Sequence, residues 1–384
     1  MKKVFLGFMF LLTFVACLFT TGCGKNNNEI VIGMSGPLTG GAAVYGLGVK
    51  NAAELAVEEI NAKGGLNGYK FKLVALDDMH DPTKVSTNYA SLLNSGMQVS
   101  IGCVTTKPGL EFTELSKVDN IFFITPSATA DSIPAYDNGY QMCFADTRQG
   151  KFSALYVNDN ITTSNNKIGV LYHSGDDYSE GIFKEFRDNL DSKFELVVAS
   201  FSQEEPTDLS SQVSLLKDCE FVFLPIYYTP ASVFMTQGVG IMKENTIYFG
   251  CDGLDGIDTS IEGFDITKIP QEVSYLSHFN SKATEGSAKE FIDKYKAKYG
   301  VETLTQFAAS AYDCVYAIYE ALLASAKSAE ITPQTSASEI CEMLKAVFQG
   351  GFTFSGVTGT NITWDQNGYV NKAAVKYIVK EQNK

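Results

Sequence analysis

Four segments of the sequence carry side chains suited to binding a small polar molecule, and each follows a predicted strand. They are Thr105-Thr106, Ser127-Ala128-Thr129, Tyr227-Tyr228 and Asp252. Hydroxyl groups beside the free N–H groups of a helix start suit a carboxylate. An aspartate suits an ammonium group, and aromatic rings hold an apolar side chain between them. Together these groups predict a site for a free amino acid, although each alone is also typical of a helix cap or a turn.

The elements that hold these segments follow from short apolar runs that alternate with helical patterns. Residues 30–32 predict a strand that gives way to a glycine-rich loop at Gly33, followed by a helix from Leu47 that stops at Gly64. Further strands, each separated from the next by a predicted helix, lie at 71–76, 99–104, 121–124, 167–172, 194–201, 220–225 and 246–250. This alternation is typical of doubly wound α/β domains, whose parallel strands end at one edge. Two such domains could face each other across a cleft.

The last hundred residues are less regular. Two helices with apolar faces are predicted between Glu285 and Ala329, a hairpin at 361–370 with its turn at 366–368, and a closing strand at 373–379. The pattern alone does not assign these elements to either domain.

Composition limits the classes of partner. The chain has 384 residues, of which 45% are hydrophobic and 19% charged, and it carries a net charge of −14. This is the composition of a globular protein large enough for two domains. The negative charge argues against nucleic acid and against an anionic membrane surface as partners.

The first residues predict export. Lys2-Lys3, an apolar run over residues 4–19 and the sequence Thr21-Gly22-Cys23 are typical of a signal peptide, and they resemble a bacterial lipoprotein signal. We therefore expect residues 1–22 to be removed, Cys23 to be lipidated, and residues 23–28 to form a polar tether. Cys17 is the alternative lipidation site. The other cysteines are widely spaced and predict no particular disulfide: Cys103, Cys143, Cys219, Cys251, Cys314 and Cys341.

Several motifs, taken in order, resemble the branched-chain amino acid binding proteins, which are leucine/isoleucine/valine-type solute receptors of ABC importers. The similarity runs from Glu29 to the C-terminus. Its motifs are Ile32-Gly-Met-Ser-Gly-Pro37, Asp77-Asp-x-x-Asp-Pro82, Ile124-Thr-Pro-Ser-Ala-Thr129, Tyr178-Ser-Glu-Gly181 and Phe249-Gly-Cys-Asp-Gly253.

The resemblance implies an α/β fold of the type I periplasmic binding protein class, with two doubly wound parallel-sheet lobes joined by a three-segment hinge. Lobe 1 would comprise residues 29–144 and 279–353, and lobe 2 residues 146–277 and 356–384. It also implies hinge closure on a free amino acid, followed by delivery to an ABC permease. The protein would be a monomer, anchored by its lipid at the extracellular face of the bacterial membrane, without a cofactor or metal ion.

The resemblance also assigns roles to individual residues. The carboxylate-binding hydroxyl falls on Thr106, with Thr105 as its competitor. Thr129 would bind through its hydroxyl and N–H, and Asp252 would bind the ammonium group. Ser127 would offer its carbonyl, Ala128 would line the wall, Tyr228 would close over the ligand, and the side-chain pocket would be formed by Tyr45, Tyr178 and Phe307. Some relatives carry a disulfide at the positions of His80 and Thr105, and the present sequence therefore lacks it.

Other functions have weaker support. The three histidines lie in separate segments, without a metal-binding spacing or a neighbouring nucleophile motif, so we expect no catalytic residue. A ligand-sensing module is a second possibility, because receptors and repressors share this fold. An amide, urea or an aromatic acid is the alternative ligand.

Overall fold

The computed structural model of the protein describes residues 28–261 and 263–382. The five strands of the first sheet are parallel and lie in the order β2-β1-β3-β4-β5. They are β1 (Glu29–Gly36), β2 (Lys70–Asp77), β3 (Met97–Cys103), β4 (Phe123–Thr125) and β5 (Gly139–Gln141). The strand order reverses between β1 and β3, and α/β sheets bind ligands at such a point, beyond the carboxyl ends of the strands.

The second sheet has six strands. They are β6 (Lys167–His173), β7 (Glu195–Phe201), β8 (Phe221–Leu224), β9 (Ile247–Gly250), β10 (Glu272–Ser277) and β11 (Val375–Lys380), in the order β11-β10-β9-β8-β6-β7. Only β11 is antiparallel to its neighbour, β10. This sheet also reverses its strand order, between β6 and β8, and so offers a second edge of the same kind.

Ten helices are described, and they connect or cover the strands. They are α1 (Ala43–Ala62), α2 (Val85–Asn94), α3 (Thr106–Val118), α4 (Asp146–Asn160), α5 (Asp177–Asn189), α6 (Ser210–Leu216), α7 (Tyr228–Gly238), α8 (Gly286–Tyr299), α9 (Gln306–Ala324) and α10 (Ala337–Gln349). The predicted α/β fold with two mostly parallel sheets is therefore confirmed.

The late elements of the chain divide between the two sheets. Helix α9 packs on α1 beside the first sheet, and the Tyr312 hydroxyl on α9 donates to Glu59 of α1 at 2.7 Å. Strand β11 returns to the second sheet. The predicted residue ranges of the two lobes stay a prediction. The predicted signal peptide and the predicted lipidation site, Cys23, lie outside the described residues.

Three observed elements were not predicted: β5, β10 and α10. Strand β5 has only three residues, too few to show a period. Helix α10 begins with a capping box, in which Ser336 bonds the N–H of Glu339 and the Glu339 carboxylate bonds the N–H of Ser336. That Ser-x-x-Glu signal was available in the sequence.

Strand β1 is longer than predicted, because it continues past Gly33 to Gly36. Gly33 pairs with both neighbouring strands, and a Cβ atom at this position would lie 2.1 Å from the Met97 Sδ atom. Glycine here permits close packing within the sheet and does not end the strand. The loop that carries the site therefore begins only at Pro37.

Within residues 28–261 and 263–382, no helix combines the length and apolar character needed to cross a lipid bilayer. All six cysteines in this part of the chain are buried and unpaired.

Gly46 lets α1 approach the loop that precedes it, and its replacement should destabilise the protein. A Cβ atom there would lie 1.9 Å from the carbonyl oxygen of Pro37, so we expect Gly46→Ala to lower the free energy of unfolding by about 1–3 kcal/mol. Gly181 on α5 is a matched control, since its nearest neighbour would be 3.6 Å away. Gly181→Ala should be neutral or stabilising by up to about 1 kcal/mol. Urea unfolding measures both, and equal effects would contradict the close approach at Gly46.

Candidate functional site

A small enclosed cavity lies between the strand ends of the two sheets, with an empty volume of about 230 Å³. Residues from both sides line it: Tyr45, Val104, Thr105, Thr106, Ser127, Thr129, Tyr178, Tyr227, Asp252, Gly253 and Phe307. These residues come from distant parts of the chain. We call this space the enclosed cavity.

The first sheet contributes hydroxyl groups and a helix start. Thr105 is the N-cap residue of α3, but its side chain does not cap the helix and instead bonds His80 Nδ1 at 2.8 Å. Thr106 is the first helical residue. The N–H groups of the first turn of α3 are therefore not satisfied by a cap, and a helix start in this state attracts an anion.

The loop after β4 adds two further polar side chains. The Ser127 hydroxyl donates to the carbonyl of Val104 at 2.5 Å, which holds the loop against the end of β3. The Thr129 hydroxyl is buried and makes no hydrogen bond of standard geometry. It lies near the Asp146 carboxyl, whose pKa it lowers, and it can instead donate to a carboxylate placed at the α3 terminus.

The second sheet contributes a buried carboxylate, Asp252, directly after β9. Its Oδ1 atom accepts a hydrogen bond from the Tyr178 hydroxyl at 2.8 Å, and its backbone N–H donates to Gln149 Oε1 at 3.1 Å. The Oδ2 atom is buried without a hydrogen-bond partner. Burial raises the pKa of Asp252 from 3.8 to about 7, against the lowering effect of the hydrogen bond from Tyr178. This carboxylate lacks a cation.

A second buried carboxylate, Asp146, was missed by the sequence reasoning. It is the first residue of α4, and neither of its carboxylate oxygens makes a hydrogen bond of standard geometry. Burial raises its pKa well above the usual range, and the charge of Asp252 adds to that effect. The sequence pattern predicts this helix only over residues 151–159, so Asp146 lies before its predicted start. An acidic residue five positions before that start was the available signal.

Aromatic rings form the remaining wall. The rings of Tyr45 and Phe307 meet edge to face with centroids 5.2 Å apart. Tyr178 and Tyr227 stack with centroids 4.8 Å apart and an interplanar angle of 6°. Such pairs add stability beyond their buried area, and they give the cavity a rigid apolar side.

The two sides of the cavity touch each other directly. The Tyr45 hydroxyl donates to the carbonyl of Gly253 at 2.5 Å, and the Thr229 hydroxyl donates to the carbonyl of Gly41 at 2.9 Å. The N–H of Val44 approaches the Tyr228 hydroxyl at 3.4 Å. These bonds join the β1–α1 region to loops of the second sheet, so the structure shows the cleft closed.

The structure brings together all of the predicted site residues except Ala128 and Tyr228. The Ala128 side chain packs toward α3, where a Cβ atom on Gly109 would lie 3.1 Å away. Tyr228 stands behind Tyr45, with ring centroids 5.0 Å apart, and Tyr227 lines the cavity in its place. The binding roles of the other predicted residues stay predictions.

Comparisons with known proteins agree with this geometry. The profile of the family described as periplasmic binding protein matches residues 29–380. A leucine-, isoleucine-, valine-, threonine- and alanine-binding protein of Pseudomonas aeruginosa is 27% identical over 351 residues, which are 89% of this chain and 87% of that protein. The resemblance predicted from the motifs is confirmed.

Solved structures give the same result. The isoleucine complex of LivJ, a branched-chain amino acid transporter substrate binding protein from Streptococcus pneumoniae, has a TM-score of 0.77 and 26% identity, and the similarity covers 92% of this chain and 98% of that one. A Rhodopseudomonas palustris solute binding protein in complex with 3,4-dihydroxybenzoic acid also has a TM-score of 0.77, over 92% of this chain and 93% of that one, but its identity is 18%. The latter similarity shows the fold alone.

The buried carboxylate of Asp252 should make the ligand-free protein less stable than its amide variant. Because the folded protein raises the pKa of this group to about 7, its stabilising protonated form is lost as the pH rises through that value. The free energy of unfolding of Asp252→Asn should therefore rise relative to that of the wild type between about pH 4 and pH 7, by roughly 2–4 kcal/mol in all. The difference should stay constant above pH 7. Thermal unfolding from pH 4.5 to 8.5 measures it, and a variant less stable at pH 8 would contradict the burial of an unpaired carboxylate.

Proposed function

The chain belongs to the periplasmic binding protein family, and we propose that it is the substrate-binding protein of an ABC transporter. It captures a free amino acid with a branched-chain or other apolar side chain in the cleft and delivers it to the permease. The observation that carries this proposal is the buried Asp252 carboxylate, with one oxygen unpartnered, in the cavity that also contains the start of α3.

The two ends of an amino acid have opposite charges, and the cavity offers complementary groups to each. Thr106 and Thr129 on the first side suit the carboxylate, because a hydroxyl and helix N–H groups can donate to it. Asp252 suits the ammonium group, which would supply the missing partner of its Oδ2 atom. The contacting rings of Tyr45 and Phe307 offer an apolar wall to the ligand side chain.

Binding of this kind also accounts for closure. The carboxylate-binding groups belong to the first sheet and the ammonium-binding group to the second, so one ligand would hold both sides together. A ligand that contacts the closed form more fully than the open form shifts the equilibrium toward closure. The bonds from Tyr45 to Gly253 and from Thr229 to Gly41 then add direct contacts between the two sides.

The alternative ligands fit these groups less well. An aromatic acid, an amide or urea has no ammonium group and would leave the carboxylates of Asp252 and Asp146 buried without a cation, at a cost in free energy. A sensor of amino acids would use the same cavity, and only its partner would differ. The family consists of binding proteins, and we assign no catalytic role to any residue.

The transport function also implies a place in the cell. We propose that the protein is held at the extracellular face of the membrane by a lipid on Cys23, with the following residues as a tether. A transporter receptor anchored in this way stays close to its permease, which raises its effective concentration there.

Lipidation can be tested by fractionation of cells that express the full chain. Cys23→Ser should move the protein from the membrane fraction to the soluble exported fraction, while Cys17→Ser should leave it on the membrane. The reverse result would identify Cys17 as the lipidated residue. Retention of both variants on the membrane would contradict a lipid anchor at either cysteine.

Ligand binding can be tested by calorimetry of residues 24–384 with each of the twenty amino acids. Asp252→Ala should weaken binding by roughly a hundredfold or more, because an ammonium left without its carboxylate in a buried site is penalised by about 2–5 kcal/mol. Phe307→Ala should cost less, since it removes apolar contact only. Equal losses in the two variants, or no amino acid bound by the wild type, would contradict the proposed function.

A further inference from the structure

A second and larger cavity lies at the rim of the cleft, beside the enclosed cavity. Its empty volume is about 990 Å³, against about 230 Å³ for the enclosed cavity, and residues from both sides of the cleft line it, among them Gly41, His80, Lys107, Glu204 and Tyr227. We call it the rim cavity. Tyr227 lines the rim cavity and the enclosed cavity alike, so its ring is the partition between them.

Contacts on several sides hold the Tyr227 ring in this position. It stacks on Tyr178 at 4.8 Å, and its edge meets the His80 ring at 5.5 Å with an interplanar angle of 87°. Tyr45 lies against it at 5.7 Å. The residue is also the N-cap of α7, with an extended backbone. The ring can leave the partition only by giving up these contacts.

The two cavities differ in chemistry. The enclosed cavity is apolar around its aromatic wall, whereas carboxylates outnumber cations among the charged groups of the rim cavity. Three carboxylates line the rim cavity, those of Asp81, Glu204 and Glu205, against one ammonium group, that of Lys107, which lies 3.3 Å from Glu204 Oε1. The His80 Nε2 atom is buried without a hydrogen-bond partner, 3.7 Å from Glu204 Oε2.

We propose that Tyr227 determines the specificity of the site by limiting the length of the ligand side chain. This inference rests on the proposed function, and it concerns which amino acids the site accepts. With the ring in place, a side chain that points toward the rim must end within the enclosed cavity, which favours short apolar amino acids. Without the ring, the two cavities join, and a longer side chain reaches the carboxylates of the rim.

The proposal predicts a change in ranking, not only a loss of affinity. In Tyr227→Ala, the affinity for lysine and methionine relative to valine should rise at least tenfold, because their side chains extend into the joined space. The gain for lysine should exceed that for methionine, since the rim is anionic. In the double variant Tyr227→Ala, Glu204→Gln, the gain in relative affinity for lysine should be smaller than in Tyr227→Ala alone. The gain for methionine should be unchanged.

Two control variants separate the partition from other effects of the ring. Tyr227→Phe keeps the ring and should keep the wild-type ranking. Phe307→Ala removes a different wall of the enclosed cavity that does not border the rim cavity, so it should enlarge the site without admitting lysine. Tyr227→Leu provides a second shortened side chain in case the alanine variant does not fold.

Calorimetric titration with valine, leucine, methionine and lysine is the measurement. A wild-type ranking in the folded alanine or leucine variant would overturn the proposal, as would the same broadening in Phe307→Ala. A wild-type protein that binds no amino acid would instead contradict the proposed function, so the two failures can be told apart.

Discussion

The burial of one carboxylate, that of Asp252, is the constraint on which the rest of the site depends. Removal of an ionised carboxylate from water costs free energy unless a cation or several hydrogen bonds compensate. Tyr178 satisfies one of its oxygens, and the other has no partner. The unliganded protein therefore holds the group at a pKa of about 7. A ligand ammonium would pair with this carboxylate and remove the cost of its burial. Binding of an amino acid would therefore be favoured over binding of a ligand without an ammonium group.

The aromatic residues connect this carboxylate to the shape of the cleft. Tyr178 binds Asp252 and stacks on Tyr227, and Tyr45 reaches across from α1 to the carbonyl of Gly253. The carboxylate that would bind the ligand's charge, the rings that line the apolar wall and the bond that joins the two sides of the cleft are thus in direct contact with one another. A change in the size or position of one ring would displace the neighbouring rings, because the interior is closely packed.

Local patterns were sufficient for most of the fold. Apolar runs of strand length between amphipathic helices predicted the parallel strands from β1 to β4 and from β6 to β9, because buried parallel strands leave a strong signal. The signal failed for β5, which is too short to show it, and for the end of β1, where Gly33 lies within the strand and packs against the side chain of Met97. The local pattern also could not assign α9 and β11 to one sheet or the other, since the elements that they pack against are distant in sequence.

The sequence by itself determined that hydroxyl, carboxylate and aromatic groups follow the strands, because parallel strands must end at one edge, and its motifs determined the family. Only the tertiary structure decided which of two adjacent tyrosines faces the cavity. The ring of Tyr45 contacts both tyrosines, but only Tyr227 lines the cavity. The tertiary structure likewise decided that Asp146 lies beside the site: its burial and its electrostatic interaction with Asp252 arise between distant segments, and no local pattern records them.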